Sequence, residues 1–259
     1  MASAARVLQR EPGRTVTLEE GGATVRKTFH GDDAAVLAEQ ARREFDRMSR
    51  FTAALADVDL AACPEPLELG TVPEPFVRMT RAAGVPMQDH LARTTWTPDT
   101  HRRVADVLRR ALVRYVETFD EPYWDFILRN MFYDPDTGMV TFFDFGVPAL
   151  YEPAIADLER LSSLEVSLGS LLASSVFEAG RPRRLSRRRE HRQAPLLART
   201  VLVRCLDESH GLPVGIDGVA AAARITYGLA ASDGGRLRRA WYRSGGRLLA
   251  RPGATLDRL

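Results

Sequence analysis

The chain has 259 residues, 45% of them hydrophobic, and its 36 basic and 34 acidic residues leave a net charge of +2. That length suits one large domain or two small lobes around a real core, and so even a charge balance does not by itself mark a nucleic-acid binder. The apolar runs are too short to cross a bilayer, residues 1 to 6 lack the apolar stretch of a secretory signal, and two cysteines, Cys63 and Cys205, make neither a disulfide scaffold nor a metal cluster, so a cytoplasmic setting is expected.

Residues 5 to 29 read as β-structure, with Val16 and Leu18 in one short run, Val25 and Phe29 in the next, and Glu20-Gly21-Gly22 between them as a tight turn. Lys27 falls on the second of these runs. It is the only lysine in the chain, and the other 35 basic residues are arginine. Where arginine serves as the general cation, a lone lysine reads either as a chance survival or as marking a place where a planar fork does not fit and a compact ammonium does.

Residues 33 to 52 predict a helix, with Asp32 or Asp33 as its cap. Leu37, Ala41, Phe45, Met48 and Thr52 repeat every three or four residues along one face. Glu44 projects into that apolar stripe, where a carboxylate requires either a cationic partner or a head reaching water. Cys63 to Pro75 reads as a proline-rich connection, residues 76 to 80 as a strand, and Ala83-Gly84-Val85-Pro86 as a turn and lobe boundary. The clearest helix is 98 to 119, whose apolar residues step 104, 107, 108, 111, 112, 115, 116, 119, with Pro98 in its first turn.

Next come two short strands, Met131 to Tyr133 and Met139 to Phe143, joined by the turn Asp134-Pro-Asp-Thr-Gly138. A loop carrying Asp125 and Asn130 runs into this hairpin, and Asp144 sits where it ends. Apolar steps at 155 to 172, 196 to 206, 218 to 229 and 236 to 249 predict a mostly helical remainder. It is interrupted at 181 to 192 by an arginine-rich run, which reads as a solvated basic loop or as a contact for an anionic partner such as phosphate, anionic lipid or RNA.

Asp125, four residues, Asn130, a hairpin, then Asp144-Phe145-Gly146 resembles the catalytic loop and metal motif of the protein-kinase-like superfamily. The resemblance covers roughly residues 15 to 172 and implies an α+β, bilobal fold. Residues 1–82 would be a small β-rich nucleotide-binding lobe with one main helix, and residues 83–259 a larger, mostly helical lobe. By motif position it places the hydroxyl-orienting base at Asp125, the Mg ligands at Asn130 and Asp144, and the phosphate-binding lysine at Lys27, paired with Glu44. Backbone groups near Thr80 and Ala82 would cradle adenine, and the Pro12-Gly13 turn would lie over the phosphates.

Asp125-Phe126 with Ile127 two places after the aspartate, and Asp157-Leu158 soon after Gly146, are more similar to aminoglycoside phosphotransferases and lipopolysaccharide-type sugar kinases than to protein kinases. The implied activity is ATP- and Mg-dependent phosphoryl transfer to a hydroxyl of a small molecule, sugar or lipid-linked sugar. A protein kinase is the first alternative, and a non-catalytic nucleotide-binding module the second. Three departures stand out. Tyr123-Trp124 replaces the histidine before the loop aspartate, with Trp124 the expected packing substitute; no Gly-x-Gly-x-x-Gly is present; and Thr80 stands where an acidic hinge residue is common. Asp157, Glu159 and Glu165 read either as an acceptor-attracting group or as caps and surface residues.

Overall fold

A computed structural model describes residues 5–11, 13–180, 193–208 and 210–232. The arginine-rich run at 181–192 and the apolar steps at 236–249 lie outside them. The chain opens with three antiparallel strands, β1 (Arg6–Glu11), β2 (Arg14–Leu18) and β3 (Thr24–Phe29). Gly21 and Gly22, both at positive φ, close the β2–β3 turn. Along β3 the two-residue period turns Val25, Lys27 and Phe29 inward, so the lone lysine occupies a core-facing position.

Helix α1 (Ala34–Ala54) follows, and the Asp33 carboxylate caps it by accepting from the amides of Ala35 and Val36. Ala41, Met48 and Phe51 form its buried stripe. Then come β4 (Ala61–Ala62), β5 (Pro66–Gly70), β6 (Phe76–Thr80), β7 (Val85–Pro86) and the short helix α2 (Met87–Leu91). The five-stranded sheet runs β1-β2-β3-β6-β5. Strand β5 lies inside the stretch expected to be connection. It is an edge strand, and an edge tolerates the prolines that argue against a strand in sequence.

Helix α3 (Pro98–Phe119) covers the expected residues. Thr97 is its N-cap, and Asp120 ends it in a left-handed conformation. A 3-10 turn (Leu128–Asn130) leads into β8 (Met131–Tyr133) and β9 (Val140–Phe142), which complete a second sheet of order β4-β9-β8-β7. A 3-10 segment (Ala149–Ala154) and α4 (Ile155–Leu158) precede α5 (Ser163–Gly180), α6 (Gln193–Asp207) and α7 (Ile216–Ser232). The apolar steps over 155 to 172 are therefore shared between two helices, α4 and α5. The break is a capping box: Ser162 Oγ accepts the Glu165 amide, and the Glu165 carboxylate accepts the Ser162 amide at 2.9 Å.

One aromatic cluster joins the sheet-bearing part to the helices. Phe51 of α1 packs edge-on against Tyr115 of α3, against Tyr123, against Phe142 of β9, and against Phe145. Among the described residues no helix is long and apolar enough to cross a membrane.

Candidate active site

Strands β1, β2, β3, β6 and β8, the middle of α1 and the residues just after β9 surround a cavity of about 790 Å³. Lys27, Glu44, Thr80, Ala82, Asn130 and Asp144 all line it, although they come from five separate stretches of sequence. Gly13 does not reach it. That glycine is an exposed turn residue at φ +83°, its carbonyl accepting from the His30 amide at 2.8 Å, and its neighbour Arg14 reaches the cavity instead.

Lys27 Nζ lies 2.7 and 2.6 Å from the two Glu44 oxygens and 3.2 Å from Asp144 Oδ1. The Glu44 carboxylate on the apolar face of α1 thus has the cation its position demands. Burial by itself would lower the Lys27 pKa, but the Asp144 and Glu44 carboxylates outweigh it and raise it. Asp144 responds in the complementary way. Burial acts to raise its pKa, while Lys27 and Arg14 hold it well below the usual carboxylate range. Its backbone sits at φ +66°, a left-handed conformation rare for a residue with a side chain.

Neighbouring side chains hold that conformation in place. Phe145 is buried among Phe51, Tyr115 and Tyr123, the Arg47 guanidinium donates to the Phe145 carbonyl, and Tyr123 Oη donates to the Phe143 carbonyl at 2.7 Å. The packing role expected of Trp124 thus belongs to Tyr123. Trp124 turns the other way, into a separate cluster with Tyr151, Leu158 and Val166.

Asp125 stands behind Asn130, whose Nδ2 donates to Asp125 Oδ2 at 2.6 Å and to the Asp125 carbonyl at 3.2 Å. Burial raises the Asp125 pKa to about 6, against the opposing pull of Arg129, whose guanidinium is 3.8 Å away, and with a further push from the Asp144 charge. Two carboxylates of one site are therefore driven apart. Asp144 stays ionised throughout the physiological range, and Asp125 exchanges its proton close to neutrality.

The donor set suits Mg. Asp144 is an ionised carboxylate, and because Asn130 spends its amide nitrogen on Asp125, its side-chain carbonyl is left to act as acceptor. Both are hard oxygen donors, and Mg takes one or two such protein ligands while phosphates and waters complete its shell. In the hinge segment, the Thr80 amide donates to the Glu65 carbonyl at 2.9 Å and Thr80 Oγ1 accepts from the Glu65 amide at 2.8 Å. Of the acidic residues expected near the acceptor, Glu165 is committed to capping: beyond Ser162 it accepts from the Gly215 amide at 2.9 Å.

Four residues of the site carry no motif signal: Arg14, Arg47, Tyr123 and Arg129. Three of them are arginines in a chain that uses arginine everywhere, so residue type did not mark them.

Neither protein-family models nor curated proteins give a match to this chain. Solved structures do. The GDP and kanamycin complex of the aminoglycoside phosphotransferase APH(2")-IIia superposes with a TM-score of 0.56 at 13% identity, covering 98% of this chain and 94% of that one. The PknI kinase domain of Mycobacterium tuberculosis, as the C20A_R136A double mutant, gives a TM-score of 0.48 at 14% identity, covering 95% of this chain and 96% of that one. The first likeness shows the fold: this chain has the α+β, bilobal protein-kinase-like fold in the form found in an aminoglycoside phosphotransferase.

Proposed function

We propose that this protein is a phosphotransferase that moves the γ-phosphoryl group of ATP to a hydroxyl of a small molecule, sugar or lipid-linked sugar. Residues 1–82 would form the nucleotide-binding lobe, and residues 83–259 the lobe that carries the catalytic loop, metal ligands and acceptor site. The observation that carries the reading is the convergence on one cavity of a buried Lys27–Glu44–Asp144 cluster and of Asn130, which hydrogen-bonds the buried Asp125 behind it.

Each residue has a physical task. Lys27, oriented by Glu44, presents a compact positive charge to the phosphates. The Thr80 carbonyl and the Ala82 backbone take the edge of the base, between Val16, Val25, Met79 and Phe132. Asn130 and Asp144 would hold Mg, which when bound neutralises phosphate charge and fixes the triphosphate. Asp125 orients the acceptor hydroxyl and takes its proton. The new bond joins the acceptor oxygen to the γ-phosphorus, the bond from that phosphorus to the β–γ bridging oxygen breaks, and ADP leaves. With a pKa of about 6, Asp125 is ionised at neutral pH yet basic enough to accept the proton and pass it to solvent.

The acceptor class rests on a short link. Only Val147 and Pro148 separate Gly146 from the 3-10 segment at Ala149, which leaves no long segment on which to dock a peptide. This favours a small acceptor over a protein. APH(2")-IIia was solved with GDP and kanamycin, so the binding test runs both ATP and GTP.

That test is thermal stabilisation by each nucleotide, with and without Mg, of the wild-type chain and of Asp144→Ala. A Mg-dependent rise of about 5–10 °C at one hundred times Kd, lost in the variant, is the expected result. No rise at saturating nucleotide would overturn the phosphotransferase reading in favour of a non-catalytic module.

A further inference from the structure

Strand β2 begins with Arg14, directly after the β1–β2 turn. Its Nη1 reaches Asp144 Oδ1 at 2.9 Å, across 130 residues of sequence, and shares that oxygen with Lys27 Nζ at 3.2 Å. Arg14 is partly exposed, at 28%, and lines the cavity. We infer that Arg14 is a phosphate-binding residue of the nucleotide site, one that exchanges Asp144 for the triphosphate when the metal arrives. This rests on the phosphotransferase reading above.

Before any metal binds, the charge balance favours such a group. The Lys27 ammonium is engaged by both oxygens of Glu44, and Lys27, Glu44 and Asp144 together carry one net negative charge. A site of that sign repels a triphosphate, and Arg14 cancels the excess. The turn that precedes it lacks the run of glycines whose backbone amides would otherwise wrap the phosphates. A guanidinium there supplies fork-shaped donors suited to phosphate oxygens.

The geometry also sets an order of events. Asp144 Oδ1 already receives two cationic donors, Arg14 Nη1 and Lys27 Nζ, and a metal ion binding this carboxylate would repel the Arg14 guanidinium beside it. A cation taking Asp144 displaces Arg14. The displaced group is a flexible side chain at the cavity wall, next to where a metal held by Asn130 and Asp144 would place the β- and γ-phosphates. Arg6, Arg81 and Arg129 also line the cavity, but neither Asn130 nor Asp144 pairs with any of them.

The inference predicts two shifts of opposite sign in a single variant, which a merely structural clip between β2 and the Asp144 loop would not give. The full-length chain is titrated first with Mn alone, free Mn being followed by electron paramagnetic resonance. It is then titrated calorimetrically with Mg and a non-hydrolysable ATP analogue. Removing the competitor in Arg14→Ala should tighten Mn binding several-fold, whereas the analogue should bind about tenfold more weakly. Arg14→Lys should recover part of the analogue affinity. Arg14→Gln, which keeps a polar side chain without the charge, carries the same test if alanine unfolds the chain. Unchanged analogue affinity in Arg14→Ala, or weakening of both ligands together, overturns the inference while the phosphotransferase reading stands. A wild-type chain that binds no analogue overturns both.

Discussion

Asp125 is held at a pKa of about 6 because burial disfavours its charge, and that makes it both useful and costly. Between its ordinary value of 3.8 and about 6, the unfolded chain releases the Asp125 proton while the folded chain keeps it. Stability is therefore lost as pH rises across that window, and above it the buried charge costs on the order of 3 kcal/mol. Asp125→Asn should consequently abolish turnover yet raise Tm by roughly 6–12 °C at pH 8. The gain should vanish near pH 4, where the wild-type carboxyl is already protonated, and a series of melts across pH reads both effects. In the wild type, kcat/KM should rise with pH around a midpoint near 6. Arg129→Ala should move the midpoint upward, since Arg129 is the cation that holds this pKa down. Lys27→Arg tests the neighbouring group. Lys27 is only 6% exposed, clamped by three carboxylate oxygens, and a planar fork cannot take that place. Turnover should fall by on the order of 10² despite the retained charge, measured as kcat at saturating nucleotide. Lys27, Glu44, Asp125, Asn130 and Asp144 were legible in sequence because spacing and residue type are rare in combination. Arg14 and Arg129 were not, because nothing local separates them from thirty-odd other arginines.

At the scale of elements, periodic helices and strands with clean borders could be read directly. Helix α3 and strand β6 have the expected limits because Thr97, Pro98 and the alternating Phe76-Val77-Arg78-Met79 run are local signals. Strand β5 was hidden because it exists only by pairing with β6, and its prolines argue locally for a loop. The split between α4 and α5 was written in Ser162 and Glu165, but the continuous apolar stepping on either side masked the cap. The turn between β6 and β7 shows how a single residue sets an element. Gly84 sits at φ +81°, and a Cβ there would lie 2.2 Å from the Tyr133 carbonyl oxygen. That atom belongs to backbone, which cannot swing aside as a side chain could. Gly84→Ala should therefore push β7 off β8 and lose about 1–3 kcal/mol, read as a lower urea midpoint at unchanged m-value. Because Ala82 and Pro86 flank the turn and line the cavity, nucleotide affinity should fall with it, and a calorimetric titration of the folded variant would register that loss separately.

Across the whole molecule, the site depends on how α1 joins the two parts of the chain. Glu44 and Phe51 lie two turns apart on that helix. Glu44 faces the sheet lysine, and Phe51 is buried among the rings of Tyr115 in α3, Tyr123 and Phe142 in β9. The same Phe51 ring packs 5.5 Å from Phe145, which fixes the strained backbone of Asp144. Arg47, one turn earlier, donates to the Phe145 carbonyl and pairs with Glu121 at 2.8 Å. One helix thus positions Lys27 and Asp144 together. This coupling could not be read from sequence, where Phe51 was simply one apolar residue near the end of a helix. Phe51→Ala should cost about 3–5 kcal/mol, the range for emptying a fully buried aromatic site. If α1 couples the two parts as the packing implies, far-ultraviolet circular dichroism and tryptophan fluorescence should report one coincident urea transition in both wild type and variant. The variant should also lose most of its Mg-nucleotide stabilisation, because Asp144 is no longer held in place. Two separated transitions in the wild type would mean that the β-rich part folds without the helical part, and that the aromatic cluster around Phe51 does not carry the coupling.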